Sequence, residues 1–156
     1  MEYVRVEALP DQYGFELDPQ PYLDVLDQVA QRLPAGAAAW VREPGHYDFG
    51  SPRCVKDLTV GRASLTDEKG AVTLELRLAP NEWKHDEGLC LRYSDVREFR
   101  VGVDEDDGML PRLGDLQLDE VLPHPAGLGH EIAFTNGSVR VVAADLTARW
   151  NRVSGD

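Results

Sequence analysis

The chain has 156 residues, of which 42% are hydrophobic and 28% are charged, a composition that excludes a fibrous repeat and does not indicate disorder. Its 28 acidic residues outnumber 16 basic ones, and the resulting net charge of −12 argues against nucleic acid as a partner because phosphate backbones would be repelled. Apolar runs are short and the N-terminal stretch lacks the pattern of a signal peptide, so we expect a cytoplasmic protein without a membrane partner.

The N-terminal part is predicted to contain a single amphipathic helix at about residues 21–33. Apolar residues recur there at helical spacing from Tyr22 to Leu33, and Pro34 ends the pattern. EYVRVEAL, before the helix, predicts a first strand, and the segment after the helix predicts a short extended piece around Trp40.

From about residue 55 to residue 146 the apolar period changes to two, which is typical of antiparallel strands with one face in the core and one in solvent. AVTLELRLA shows this alternation most clearly, and TDEKG before it predicts a hairpin turn. In VKDLTVGRASL, we expect Leu58, Val60 and Leu65 to point inward. A break at SD within GLCLRYSDVREFRVGV leaves open two strands or one strand bent at a bulge.

The strongest local signal is a hairpin in HEIAFTNGSVRVV. His130 and Phe134 share one face of the alternating pattern, and Asn136-Gly137 favours a type I′ turn. MLPRLGDLQL, before this hairpin, predicts a loop and only a short piece of strand. The sequence therefore predicts an α+β fold in one domain, residues 1–156, built as a curved antiparallel sheet or small sandwich with the N-terminal helix packed on it.

Histidines next to acidic residues raise the question of a metal site. HEIAF begins like the zinc-protease motif H-E-x-x-H, but Phe134 stands where that motif needs its second histidine, and His130 and Glu131 point to opposite faces of a strand. We expect His130 to end a core face with hydrogen bonds to the backbone. A metal-dependent enzyme is the alternative, and it would draw its ligands from loops that converge: His46, Asp48, His85, His124, His130 and Glu131.

Other catalytic motifs are missing from the sequence. GSPRC contains Ser51 and Cys54 without an adjacent base, and neither a phosphate-binding loop nor a complete dinucleotide fingerprint occurs. VDEDDG lacks calcium-loop spacing because Val103 stands at the first ligand position. The sequence thus predicts no cofactor. Cys54 and Cys90 are expected to be reduced in a cytosolic protein, with a disulfide between them as the alternative.

Aromatic and acidic residues together form a candidate binding surface. The aromatic ones fall in loop-like segments beside charged residues, where exposed rings would act as anchors, although such residues also close the ends of a sheet as core. The acidic run DEDDG is interpreted first as a turn that protects a sheet edge from aggregation. The candidate surface comprises Trp40, Tyr47, Trp83, Asp104, Glu105, Asp106 and Asp107.

The β-rich part resembles small uncharacterised bacterial β-rich domains, some of which are immunity proteins of polymorphic toxin systems. The resemblance covers about residues 46–146 and rests on CVKDLTVGRASL, AVTLELRLAPNEW, LCLRYSDVREFRV and HEIAFTNGSVRVVAADL, with Tyr93, Val96 and Phe99 as the aromatic and apolar step between strands. The N-terminal helix lies outside it. The resemblance implies a non-catalytic binding role.

The leading hypothesis from the sequence is a non-enzymatic domain that binds a protein partner. The acidic charge favours a basic partner because long-range electrostatics raise association rates, although the same charge also simply keeps a protein dispersed. The alternatives are the metal-dependent enzyme and a structural or regulatory homo-oligomer that pairs exposed sheet edges.

Overall fold

A computed structural model describes residues 1–10, 13–104 and 112–152 of the chain. Strands are far more abundant than helices, and the helices lie together near the N-terminus. In chain order the elements are β1 (Arg5–Ala8), β2 (Phe15–Asp18), α1 (Gln20–Arg32), α2 (Ala35–Val41), β3 (Thr59–Glu68), β4 (Ala71–Ala79), β5 (Gly88–Ser94), β6 (Glu98–Val103), β7 (Leu116–His124), β8 (Gly127–Phe134), β9 (Gly137–Ala143) and β10 (Asp145–Asn151).

Two four-stranded antiparallel sheets form the body of the protein. The first sheet has the strand order β10-β5-β4-β3 and the second has the order β6-β9-β8-β7, while β1 and β2 pair as a separate hairpin. The alternating apolar residues of the strands, such as Leu74 and Leu76 in β4, are buried in one core cluster that also includes residues of both helices. The predicted α+β fold, a small antiparallel sandwich, is confirmed.

The chain passes from one sheet to the other at a single corner. The break at SD separates β5 from β6, which lie in different sheets, and a single residue, Ala144, separates β9 from β10. Two backbone hydrogen bonds connect these two segments. The Ala144 amide donates to the Ser94 carbonyl at 2.9 Å, and the Arg97 amide donates to the Val142 carbonyl at 2.8 Å. The sequence left two strands or one bent strand open, and the structure shows two.

The opposite edges of the sheets are also in contact. Thr59 in β3 forms a bridge with Asp115, and the Leu116 amide donates to the Leu58 carbonyl at 2.7 Å. Leu58 is buried at this junction, as expected, and Val60 is half-buried. Leu65 lies opposite buried Leu74 but is 55% exposed, because β3 is an edge strand of its sheet. Leu65 thus lies on the inner face, as expected, although the edge position leaves it exposed.

The predicted N-terminal helix is present as α1, but the extended piece predicted around Trp40 is wrong. That segment, AGAAAWV, is helix α2, and its alanines favour a helix. The Asp145 carboxylate accepts hydrogen bonds from the Gly36 and Ala37 amides at 3.1 and 2.9 Å. A residue of β10 thus provides the acceptor for amides in the first turn of α2, which have no partner within the helix. A Cβ atom on Gly36 would lie 2.0 Å from the Leu146 carbonyl oxygen, so glycine allows this helix to contact the strand backbone.

The hairpin predicted at Asn136-Gly137 is present, but its predicted turn type is wrong. Phe134 pairs with Gly137, so the two turn residues are Thr135 and Asn136, and neither has the positive φ that a type I′ turn requires. That conformation occurs instead in the predicted TDEKG turn between β3 and β4. There Lys69 and Gly70 have φ angles of 56° and 85°.

Candidate functional site

A polar cluster centred on Asp119 lies in the core between the two sheets. The Asp119 carboxylate is hydrogen-bonded to two imidazole rings, at 2.7 Å from Oδ1 to His46 Nε2 and at 2.8 Å from Oδ2 to His130 Nε2. The Tyr93 hydroxyl lies 2.8 Å from His130 Nδ1. All four side chains are at most 2% exposed.

Four separate parts of the chain supply this cluster. Tyr93 comes from β5 of the first sheet, whereas Asp119 in β7 and His130 in β8 come from the second sheet, on the face that also carries Ile132. His46 follows α2 and lies between the rings of Trp40 and Tyr47, with both ring centroids 4.2 Å away. The cluster therefore depends on the packing of both sheets and the helical segment.

Hydrogen-bond accounting assigns the protons of the cluster. His46 Nδ1 lies 3.2 Å from the Trp40 carbonyl oxygen and its Nε2 contacts a carboxylate oxygen, so both ring nitrogens face acceptors and His46 donates from both as an imidazolium. His130 donates from Nε2 to Asp119, and its Nδ1 faces the Tyr93 hydroxyl, a group that both donates and accepts. The cluster therefore contains a buried ion pair between His46 and Asp119.

The surroundings shift the ionisation of the cluster residues in opposite directions. Burial by itself would raise the pKa of Asp119, but the charge of His46 and the hydrogen bonds from His130 and His46 outweigh it and hold that pKa well below its usual range. Burial, and then the charge of Asp119, raise the pKa of the Tyr93 and Tyr47 hydroxyls well above the ordinary tyrosine value. Asp119 is therefore the ionised acid, and both tyrosines remain protonated.

The cluster combines carboxylate, imidazole and hydroxyl groups, as many active sites do, but these groups bind one another inside the core. Burial keeps a substrate from contacting any of them. In the described part of the chain, no group of three or more histidine, cysteine, aspartate or glutamate side chains is arranged to hold a metal ion. The ion pair therefore stabilises the junction of the sheets with the segment after α2.

The histidines and acids named in the metal hypothesis are divided among several places. Only His46 and His130 come together, and they bind Asp119. His85 donates from Nε2 to the Cys54 carbonyl at 2.8 Å, His124 is exposed and accepts from the Ala126 amide at 3.1 Å, and exposed Asp48 accepts from the Gly50 amide at 3.0 Å. Glu131 points to the other face of β8 and binds Arg140 at 2.6 Å. The expected burial of His130 is confirmed, but its partners are side chains, where backbone partners were expected.

Asp119 was missed by the sequence interpretation because of an irregularity in β7. The register shifts between Leu116 and Leu118, so Leu116 pairs with Phe134 on the inner face, Leu118 pairs with Ala133 on the outer face, and Asp119 returns to the inner face. A strict alternation through the two leucines would have placed Asp119 outside. The outer face of β7 is buried as well, since the Glu120 carboxylate accepts the amides of residues 2–4 at 2.6 to 2.7 Å.

The residues of the candidate binding surface do not form one patch. Trp40 is 2% exposed and belongs to the core, so its proposed surface role is wrong. Its ring projects from α2 and packs on the ring of His46. Tyr47 is half-buried and donates to the Asp119 carbonyl at 3.1 Å. Asp104 is exposed, and Glu105, Asp106 and Asp107 lie outside the described residues. Trp83 is 95% exposed, which leaves it as the aromatic residue of this set that a partner can reach.

Trp83 lies on a loop between β4 and β5 that is held by its own hydrogen bonds. The Asn81 side chain accepts from the Trp83 amide at 2.9 Å, and the Asn81 carbonyl accepts from the Lys84 and His85 amides at 3.1 and 2.8 Å. The Asn81 amide in turn donates to His85 Nδ1 at 3.1 Å. The Lys84 ammonium binds the Asp57 carboxylate at 3.3 Å. The loop thus presents an exposed indole on an ordered backbone.

Both cysteines are free thiols, in agreement with the expected reduced state. Cys54 is buried and Cys90 is half-buried on the outer face of the first sheet. Burial raises the pKa of both thiols, which disfavours the reactive thiolate. Neither cysteine therefore has the electropositive, accessible setting of a catalytic nucleophile.

Comparisons with known proteins return no similar protein: no family model, curated protein or solved structure matches the chain. A search of the described residues for a helix with the length and apolarity needed to span a membrane finds none.

Proposed function

We propose that this protein is a non-catalytic binding domain that recognises a basic protein partner through Trp83 and the acidic residues beside it. The observation that carries the proposal is the exposure of Trp83, 95%, on a loop fixed by hydrogen bonds. Tryptophan is among the residues that most often dominate binding energy at protein interfaces. Because the loop backbone is already ordered, little backbone entropy is lost when the partner arrives.

The charge around Trp83 supports a basic partner. Glu82 precedes Trp83 and Asp86 follows it three residues later, and both are exposed; the adjacent Lys84 is already paired with Asp57 at 3.3 Å. The chain as a whole has a net charge of −12, so its long-range field attracts positive proteins and increases their association rate. An immunity-like inhibitor of a basic toxin is the form of this proposal that the sequence resemblance favours.

The polar groups of the core also support a binding role. A metal-dependent reaction would need His46 or His130 to have a free nitrogen facing a cavity, but both rings bind Asp119 and other partners inside the core. The residues that a second protein can reach are those of the surface.

Site-specific cross-linking tests the proposal. A photoreactive phenylalanine derivative is placed at position 83 in one variant and at position 13 in a control, because Tyr13 is also fully exposed but lies before β2, in a different loop. We expect one basic protein to cross-link from position 83 and not from position 13, with a yield that falls as salt rises. Equal labelling from both positions, or no adduct from position 83, would exclude this docking site.

A further inference from the structure

The outer face of the first sheet carries charge opposite in sign to that of the whole chain. Residues directly opposite one another on antiparallel strands point to the same face. Arg62 lies opposite Arg77, Arg77 lies opposite Cys90, and Cys90 lies opposite Arg149. One row across all four strands therefore contains three arginines and one cysteine, and we call the solvent side of β3, β4, β5 and β10 the arginine face.

The next row of the arginine face adds a fourth arginine and one acid. It runs through Ser64, Glu75, Arg92 and Thr147. Four positive charges against one negative charge give these two rows a net charge of +3, in a chain whose total is −12. Positive residues are thus concentrated in the middle of this face, whose end rows carry the acids Glu68 and Asp145.

Most of this positive charge is uncompensated. Arg77 donates to Glu75 at 2.6 Å, and Arg62 donates to the neutral Ser64 hydroxyl at 3.1 Å. Among the residues that the structure describes, Arg62, Arg92 and Arg149 form no ion pair with a carboxylate. Their guanidinium groups are free to bind an external anion.

The outer face of the second sheet differs in how its charges are compensated. There Arg140 also lies opposite another arginine, Arg100, but it is 3.2 Å from Glu98 and 2.6 Å from Glu131, so two carboxylates compensate its charge. On the first sheet, Arg62 and Arg77 are directly opposed, and opposed like charges destabilise a sheet. Among the described residues, one carboxylate, Glu75, compensates this pair.

One end of the arginine face forms a groove suited to an acidic side chain. The groove has a volume of about 580 Å³ and is lined by Arg62, Arg77 and Arg152, with buried Leu78 and Leu89 also in its wall. A guanidinium group binds a carboxylate through two parallel hydrogen bonds, so adjacent arginines can each take one acid of an extended chain.

We propose that the arginine face binds an acidic segment of a protein, with Arg62, Arg77, Arg92 and Arg149 as the carboxylate-binding residues. Nucleic acid fits less well because the two described rows contain no aromatic side chain on which a base could stack. This surface differs from the Trp83 loop in residues and in the charge of its partner, so either can fail without the other.

Nuclear magnetic resonance titration of the full chain tests this proposal. The probe is a short peptide of alternating aspartate and glutamate, and a single-stranded oligothymidylate of equal charge is the competing class. We expect the peptide to shift backbone amide resonances of the arginine face at low salt, and the oligothymidylate to bind at least about tenfold more weakly. Stronger binding of the oligothymidylate, or peptide-induced shifts confined to other surfaces, would overturn the assignment.

Charge-reversed variants separate binding from stability. In the variant Arg149→Glu, the peptide affinity should fall about tenfold or more, while the control Arg100→Glu on the second sheet, with the same change in net charge, should retain it. Arg62→Glu converts an opposed like-charge pair into an opposed ion pair, so it should weaken peptide binding and raise the melting temperature together. Unchanged affinity in both arginine-face variants, or a fall of equal size in Arg100→Glu, would contradict the proposal.

Discussion

Replacement of Asp119 by asparagine removes the charge at the centre of the buried cluster while keeping the shape of the side chain. The variant loses the counter-ion of His46, whose two ring nitrogens both face acceptors in the native protein. The asparagine amide has one oxygen, which accepts, and one NH2 group, which only donates. Two imidazole N–H groups need acceptors at this position, so one of the two hydrogen bonds must be lost.

The expected destabilisation is large. The two hydrogen bonds, at 2.7 and 2.8 Å, join charged or strongly polar groups, and each such bond contributes about 1.5–3 kcal/mol. Breaking a buried ion pair by removing one partner typically costs about 3–5 kcal/mol. We therefore expect Asp119→Asn to lower the free energy of unfolding by about 3–5 kcal/mol, a substantial part of the roughly 5–15 kcal/mol of an ordinary domain.

The same variant should change how stability depends on pH. The pKa of Asp119 is lower in the folded protein than the value of about 3.9 expected in the unfolded chain. A carboxyl group of this kind contributes its full stability above the unfolded pKa, and the contribution is lost as pH falls through the folded pKa. The native protein should therefore lose stability below about pH 4 more steeply than Asp119→Asn does.

Urea denaturation followed by tryptophan fluorescence measures both effects. Trp40, one of the three tryptophans, has its ring 4.2 Å from the ring of His46, so unfolding of the cluster changes its contribution to the emission. Asp27→Asn serves as the matched control because Asp27 is exposed and should change stability by less than about 0.5 kcal/mol. A loss below about 1 kcal/mol in Asp119→Asn, or acid unfolding curves of equal steepness, would refute the assignment of a buried ion pair.

Three further substitutions test separate contacts of the fold. Tyr93→Phe removes the hydroxyl partner of His130 and should cost about 1–3 kcal/mol in urea denaturation; unchanged stability would mean that this hydrogen bond contributes nothing. Gly36→Ala places a Cβ 2.0 Å from a strand carbonyl oxygen and should lower stability by at least about 1–3 kcal/mol, whereas Gly50→Ala, which meets no atom closer than 3.5 Å, should be far milder. Glu120→Gln weakens the hydrogen bonds from the amides of residues 2–4, so hydrogen exchange there should accelerate, and unchanged exchange would contradict this role of the carboxylate.

The strands and the first helix could be predicted because their apolar residues repeat with the period of the element. The alternation in β4 and β5 and the stripe along α1 depend only on local sequence, and both were recovered. Helix α2 was missed because its first turn is satisfied by Asp145, which is more than a hundred residues away in the chain and comes close only in the folded protein.

The polar cluster could not be predicted for a related reason. The irregularity between Leu116 and Leu118 changes which residues of β7 face inward, and nothing in LQLDEV marks that change. His46 and His130 were both considered as ligands, but the group that joins them, Asp119, was not. The exposure of Trp83 also depended on the fold, because a tryptophan in a loop can equally close the end of a core.

Affinity for a purified partner is the most direct test of whether function resides on the surface of this protein. Once cross-linking from position 83 has identified the partner, its dissociation constant is measured for the native chain and for Trp83→Ala. A central interface tryptophan contributes about 2 kcal/mol or more, so we expect affinity to fall about 30-fold or more while the melting temperature stays the same. Native affinity in Trp83→Ala would show that the indole is not the anchor.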